Sequence, residues 1–90
     1  MNTRLFLSVG RDFWVGEDDI AIVQGFPTRP GERLRQLAIS EGRHYDATRG
    51  ARILSLVLLR NGWVVASPHL PETLITRARV AAPVKDAKKP

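Results

Sequence analysis

Arg49 and Arg52 are the side chains of this sequence best placed to do chemistry. They sit in the run Tyr45-Asp46-Ala47-Thr48-Arg49-Gly50-Ala51-Arg52, which leads straight into the apolar stretch Ile53 to Leu59. A guanidinium is permanently charged and offers a planar fork of donors, so two of them on a turn suit oxyanions, above all the phosphates of a nucleic-acid backbone. The chemistry on offer is binding. There is no Cys, which removes thiolate and disulfide chemistry. His44 and His69 are the only imidazoles and lack the spacing of a metal site, so each reads as a loop or surface residue. Ser8, Ser40, Ser55 and Ser67 have no His-acid partner arranged for nucleophilic catalysis. No enzyme, cofactor or small-molecule substrate is expected. Asp46 and Thr48 are expected to hold the turn through side-chain to backbone hydrogen bonds. Glu17-Asp18-Asp19 reads as a solvated turn, since three adjacent acids without the rest of a calcium loop do not bind the ion. Trp14 and Trp63 fall in strand patterns and are expected to pack in the core or an interface.

The charge distribution supports an anionic partner. Residues 1–32 carry three arginines against five acids, and residues 33–79 carry eight arginines against three acids. The formal net charge of +5 therefore arises entirely in the later part of the chain. Every cation before residue 85 is Arg, and lysine appears only near the C-terminus. No apolar run approaches the roughly 20 residues of a membrane span. Arg4 and a short apolar patch without a small-residue cleavage site do not make a signal peptide, so a cytoplasmic location is expected.

The elements that position the arginines read as a single α+β domain with a small antiparallel sheet and two short helices. Leu5, Leu7 and Val9 alternate with Arg4, Phe6 and Ser8 as a strand ending at Gly10. Phe13 to Val15 and Ile20 to Val23 follow as strands separated by Gly16 to Asp19. Pro30 and Glu32 open a helix whose Leu34, Leu37 and Ala38 share a face and which Gly42 caps. Arg43-His44-Tyr45 reads as a turn. A strand from Arg52 to Arg60 is then returned by a type I′ hairpin at Asn61-Gly62 into Trp63 to Ala66. Pro71 starts the second helix. Residues 1–82 form the domain, and 83–90, with two prolines and three lysines, read as a disordered basic tail.

The central strand is apolar on both faces: Ile53, Ser55, Val57 and Leu59 point one way, and Leu54, Leu56 and Leu58 the other. One face is expected to be covered by one helix and the N-terminal strands. The other, carrying Leu54, Leu56 and Leu58, is expected to meet a second copy, because a monomer leaving it open would aggregate, with cover by the C-terminal helix inside the monomer as the alternative.

Asp46-Ala47-Thr48-Arg49-Gly50, the apolar strand with its hairpin, and Pro71-Glu72-Thr73 before the last helix resemble the RemA family of bacterial DNA-binding regulators. Ile20 to Val23 and the helix with Arg33, Gln36, Ala38 and Gly42 are similar as well, so the resemblance covers roughly residues 4–79. It implies a LytTR-like fold and a ring-shaped homo-oligomer. It also implies arginines contacting duplex DNA in the control of genes such as those for biofilm matrix. The expected nucleic-acid contacts are Arg49, Arg52, Arg33 and Arg35. Where the family continues Arg-Arg-Thr-Arg after Gly50, this chain has Ala51-Arg52-Ile53-Leu54. Two functions follow as alternatives: a transcriptional regulator or nucleoid-type architectural protein, or a ring-forming scaffold of the same fold that engages a protein or other acidic partner.

Overall fold

The computed structural model describes residues 5–81, with side chains to Ala78. The expected tail at 83–90 lies outside the described residues. Two sheets and two helices make up the fold. Strands β1 (Phe6–Gly10) and β2 (Phe13–Gly16) form an antiparallel ribbon joined by Arg11-Asp12, with Leu7 opposite Val15 and Ser8 opposite Trp14. A 3-10 turn at Glu17–Asp19 leads into β3 (Ile20–Gly25), then α1 (Arg29–Ser40), β4 (His44–Asp46), β5 (Ser55–Leu59), β6 (Val64–Ser67) and α2 (Pro71–Ala81). The second sheet has the order β3-β5-β6-β4.

That sheet is mixed and not antiparallel throughout, because β4 runs parallel to β6 with Tyr45 opposite Val65. Residues 44–46 form a strand where a turn is expected. Three residues carry no legible alternation, and their order comes from distant partners: Val64 N–H donates to the Arg43 carbonyl at 2.9 Å, and Ala47 N–H to the Ala66 carbonyl at 2.9 Å. Phe13 also stacks on Tyr45 with ring centroids 4.6 Å apart.

Helix α1 follows local chemistry closely. Thr28 caps its N-terminus by accepting from Gly31 N–H at 3.0 Å, and Pro30 sits in the first turn. Gly31 is required there, since a Cβ would lie 2.7 Å from the Gly25 carbonyl oxygen. The helix ends at Gly42 in left-handed conformation, φ +72°.

The hairpin between β5 and β6 is not type I′. Asn61 keeps negative φ, only Gly62 is left-handed at +96°, and Gly62 N–H donates to the Leu59 carbonyl at 2.9 Å. The loop is therefore a three-residue one, a turn over Arg60-Asn61 followed by a left-handed glycine.

Strand β5 is buried on both faces within one chain. On one side Val57 joins Leu7, Val9, Val15, Ala47, Val65 and Leu74, so the β1–β2 ribbon and α2 cover it. On the other, Leu56 joins Val64, Ala66 and Ala38, with Leu34, Ile53 and Leu58 packed around them beneath α1. This corrects the reason for assigning Leu54, Leu56 and Leu58 to a subunit interface: Leu56 is 0% exposed, and Leu54 and Leu58 are half-buried, without any partner. The sequence pattern puts one helix and the N-terminal strands together on a single face and leaves the other to a second copy; in the fold they divide, the β1–β2 ribbon lying with α2 on one face and α1 on the other. The strand is also shorter than Arg52 to Arg60, and Ile53, preceding it, packs on the Leu56 side. Neither tryptophan is core: Trp14 is 61% and Trp63 41% exposed.

Candidate nucleic-acid interface

Gly25, Ser55 and Ser67 stand in register at one end of the four-stranded sheet, with Asp46 alongside Ala66. From this end α1 departs, α2 departs, and the loop 47–54 crosses from β4 to β5. That loop carries Arg49 and Arg52.

The loop is held by its own motif residues. Asp46 Oδ1 accepts from Thr48 N–H at 2.8 Å and from Thr48 Oγ1 at 2.6 Å, as expected of a turn-holding pair. These two donations keep the Asp46 carboxyl below its ordinary value. Ala47 and Thr48 are buried, and Ala47 must be small because Gly10 lies directly against it. A Cβ on Gly10 would be 2.4 Å from the Ala47 carbonyl oxygen. Arg11 N–H donates to that same oxygen at 3.1 Å, and Ala51 N–H donates to the Thr48 carbonyl at 3.1 Å. Arg49 and Gly50 then take left-handed conformations, φ +55° and +87°, and a Cβ on Gly50 would meet nothing within 4 Å. The outcome is a buried base, Ala47 and Thr48, held by the exposed Asp46, and an open rim displaying Arg49 to Arg52.

The four arginines singled out from sequence differ in their surroundings. Arg52 is exposed and, among the described residues, forms no hydrogen bond or ion pair. It therefore does not brace the turn through Asp46. Arg49 is exposed but pairs with Asp12 across the β1–β2 turn, Nη2 to Oδ2 at 2.9 Å. Arg33 is exposed in the second turn of α1. Arg35, in contrast, is half-buried, its guanidinium carbon 5.9 Å from the centroid of the Phe26 ring and its Nε shielded from solvent without a partner. Its charge reaches inward: after burial itself, Arg35 is the next cause holding the His44 imidazole below its ordinary value.

Other arginines of the basic excess are fasteners. Arg43 pairs with Glu41 at 2.7 Å and donates to the Gly62 carbonyl, Arg60 Nε donates to the Asp18 carbonyl at 2.7 Å, and Arg77 Nη1 to the Ser8 carbonyl at 2.9 Å. Sequence reasoning missed the Asp12–Arg49 pair, since nothing local announces a contact across 37 positions.

Among the described residues no three His, Asp or Glu side chains converge to hold a metal ion. No described helix is long and apolar enough to cross a membrane. Fold and site together define a small α+β domain with two helices, a two-stranded ribbon and a mixed four-stranded sheet. The model of the RemA-like family, extracellular matrix regulatory protein A-like, matches residues 6–78, and this chain belongs to that family. A protein of Coprothermobacter proteolyticus named as a regulatory protein is 33% identical over 72 residues, covering 80% of this chain. One of Kosmotoga olearia, also named as regulatory, is 35% identical over 63 residues, covering 70% of this chain. The matched segments span 69% and 63% of those two relatives.

Proposed function

We propose that this protein is a bacterial cytoplasmic DNA-binding regulator or nucleoid-type architectural protein, gripping duplex phosphates with Arg49 and Arg52. Exposed Arg33 on α1 is a further contact in the same proposal, and half-buried Arg35, whose charge acts on Asp46 at the base of the turn, adds to its positive field. The observation that carries this reading is the turn itself. Its buried base is fixed by five hydrogen bonds, from Thr48 N–H, Thr48 Oγ1, Ala47 N–H, Arg11 N–H and Ala51 N–H, while its rim leaves two guanidiniums in solvent. A rim ordered before contact avoids the entropy of ordering it on binding. Membership of a family named for extracellular matrix regulation makes matrix genes the natural targets.

Assembly into a homo-oligomeric ring belongs to the same proposal, with its contacts on the outside of the fold. Trp14, 61% exposed on the β1–β2 ribbon, and Ile22, 50% exposed on the edge strand β3, are among the exposed apolar side chains it would cover. The purified protein should then scatter light as a multiple of 10.0 kDa.

The deciding experiment is a salt titration of duplex binding by wild type and the Arg49→Ala/Arg52→Ala double variant. Loss of two phosphate contacts per subunit should flatten log affinity against log salt by about 0.9 per contact and leave particle size unchanged. Equal binding by the variant would favour the scaffold of the same fold. The replacement of family arginines by Ala51 and Leu54, and the partial neutralisation of Arg49 by Asp12, support that second reading.

A further inference from the structure

A second cluster of positive groups lies beside the arginine turn, and its Arg11 guanidinium and His69 imidazole have no role in the turn described above. Arg11 is tied to the turn through its N–H to the Ala47 carbonyl, and Ala47 in turn bonds Ala66, the residue before Ser67. His69 is fixed to the same strand end: its N–H donates to Ser67 Oγ at 3.1 Å, and its carbonyl accepts from Ser55 Oγ at 2.7 Å. Arg77 reaches from α2 to the Ser8 carbonyl on β1, three residues before Arg11. Three chain segments thus bring the Arg11 backbone, the Arg77 guanidinium and the backbone of the half-buried His69 to one edge of the turn, close enough that both arginines act on the His69 imidazole.

We propose that Arg11, His69 and Arg77 form a second phosphate subsite, continuous with the Arg49–Arg52 turn, that holds a further backbone phosphodiester of the same duplex. This rests on the DNA-binding reading of the turn and extends it. The local charge balance supports it. The groups that bear on His69 are Arg77 and Arg11, both cationic, and with burial they hold its imidazole below the ordinary value of 6.5. The acids of the surrounding elements are otherwise engaged or do not reach it: Asp12 pairs with Arg49, Asp46 accepts from Thr48, and Glu72 on α2 is exposed and contributes nothing to His69. Burial first and then the two cations disfavour the imidazolium, and an anion arriving between them favours it. Phosphate binding should therefore raise the His69 pKa, take up a proton, and make DNA affinity rise as pH falls.

The test uses the full chain and a labelled 20-base-pair duplex, read by anisotropy at low salt between pH 8 and pH 6, with the imidazole signals of His69 and His44 followed by NMR. Wild type should bind more tightly as pH falls, by at most about tenfold per pH unit per proton taken up. Duplex should move the His69 titration upward and leave His44, at the opposite end of β4, in place. Arg11→Gln should flatten the salt slope by about 0.9, and His69→Gln should abolish the pH dependence. Both His69 hydrogen bonds are made by its backbone, so His69→Gln leaves the fold intact, whereas Arg77→Gln also loses the Ser8 contact and is read only beside its melting curve. Binding that responds to Arg49→Ala/Arg52→Ala but not to Arg11→Gln or His69→Gln overturns the subsite and spares the turn. An unchanged His69 titration in the duplex complex overturns it as well. If millimolar inorganic phosphate shifts His69 fully and duplex does not compete, the site serves free phosphate and the backbone assignment is wrong. Absence of any duplex binding by wild type removes both.

Discussion

Replacing Asp12 by asparagine should strengthen DNA binding, the opposite of what most substitutions near a binding site do. Asp12 holds Arg49 at 2.9 Å, with the two side chains 79% and 62% exposed. An ion pair this open contributes about 0.2–1 kcal/mol to stability. A phosphate approaching Arg49 must compete with that carboxylate and then remain beside it. Removing the charge returns an interaction of the same size to the complex, which corresponds to about a 1.5- to 5-fold gain in affinity per subunit at low salt. Several subunits on one duplex would multiply the factor. Asparagine is the right replacement because Asp12 sits at φ +56°, a left-handed conformation that Asn tolerates and Ala does not. Melting temperature should consequently fall by about 1–8 °C. Anisotropy titrations of wild type, Asp12→Asn, Arg49→Ala and the double variant form a cycle in which the gain must vanish once Arg49 is absent. If Asp12→Asn folds normally and binds no tighter, or if the gain survives loss of Arg49, then Arg49 does not touch phosphate.

Thr48→Val removes the 2.6 Å donor to Asp46 and, discounted for the exposure of that carboxylate, should cost about 1 kcal/mol in denaturant titration and quicken amide exchange across 47–51. Since the folded Asp46 pKa is lowered, its contribution is present above the ordinary value of 3.8 and is lost as pH falls further, so wild type and Thr48→Val should converge in acid melts. The His44 pKa is also lowered, so the unfolded chain binds more protons below 6.5 and stability should fall from there downward; His44→Gln should flatten that part of the curve. Gly10→Ala drives a methyl into the Ala47 backbone and should cost about 1–3 kcal/mol in thermal melts. Leu56→Ala should cost about 2–5 kcal/mol at every protein concentration; a loss that shrinks on concentrating the protein would return β5 to a subunit interface.

How much was legible in the sequence depends on where each element's order originates. Helix α1 announces itself, since Thr28, Pro30, Glu32 and Gly42 act on neighbours a few residues away. The Asp46–Thr48 turn is legible for the same reason. Strand β4 is not, because its register is set by β6, some twenty positions further on. Burial of β5 was correctly read as two-sided, and the N-terminal strands were expected as a cover, but the division of ribbon and helix between opposite faces was not legible, because it depends on how distant elements cross the sheet. Among candidate contacts, Arg49 and Arg52 could be picked out by their loop. The division of the remaining arginines into free groups and fasteners such as Arg43 and Arg60 could not, since it depends on which distant carbonyls fold within reach.

The same bonds that hold the turn also make it a report on the fold. Ala47 lies in the core with Val57 and Leu74, bonds Ala66 through its N–H, and receives Arg11 N–H at its carbonyl. One residue thus joins the main sheet, the ribbon and the arginine rim. Displacement of the ribbon from β5 would uncover Val57 and simultaneously release Ala47, Arg11 and the Asp12 partner of Arg49. Binding and folding should therefore fail together for changes beneath the turn, such as Gly10→Ala, and separately for changes on its rim, such as Arg52→Ala. That division follows from burial alone: a rim side chain in water can be removed without disturbing its neighbours, whereas a residue packed against backbone on two sides cannot.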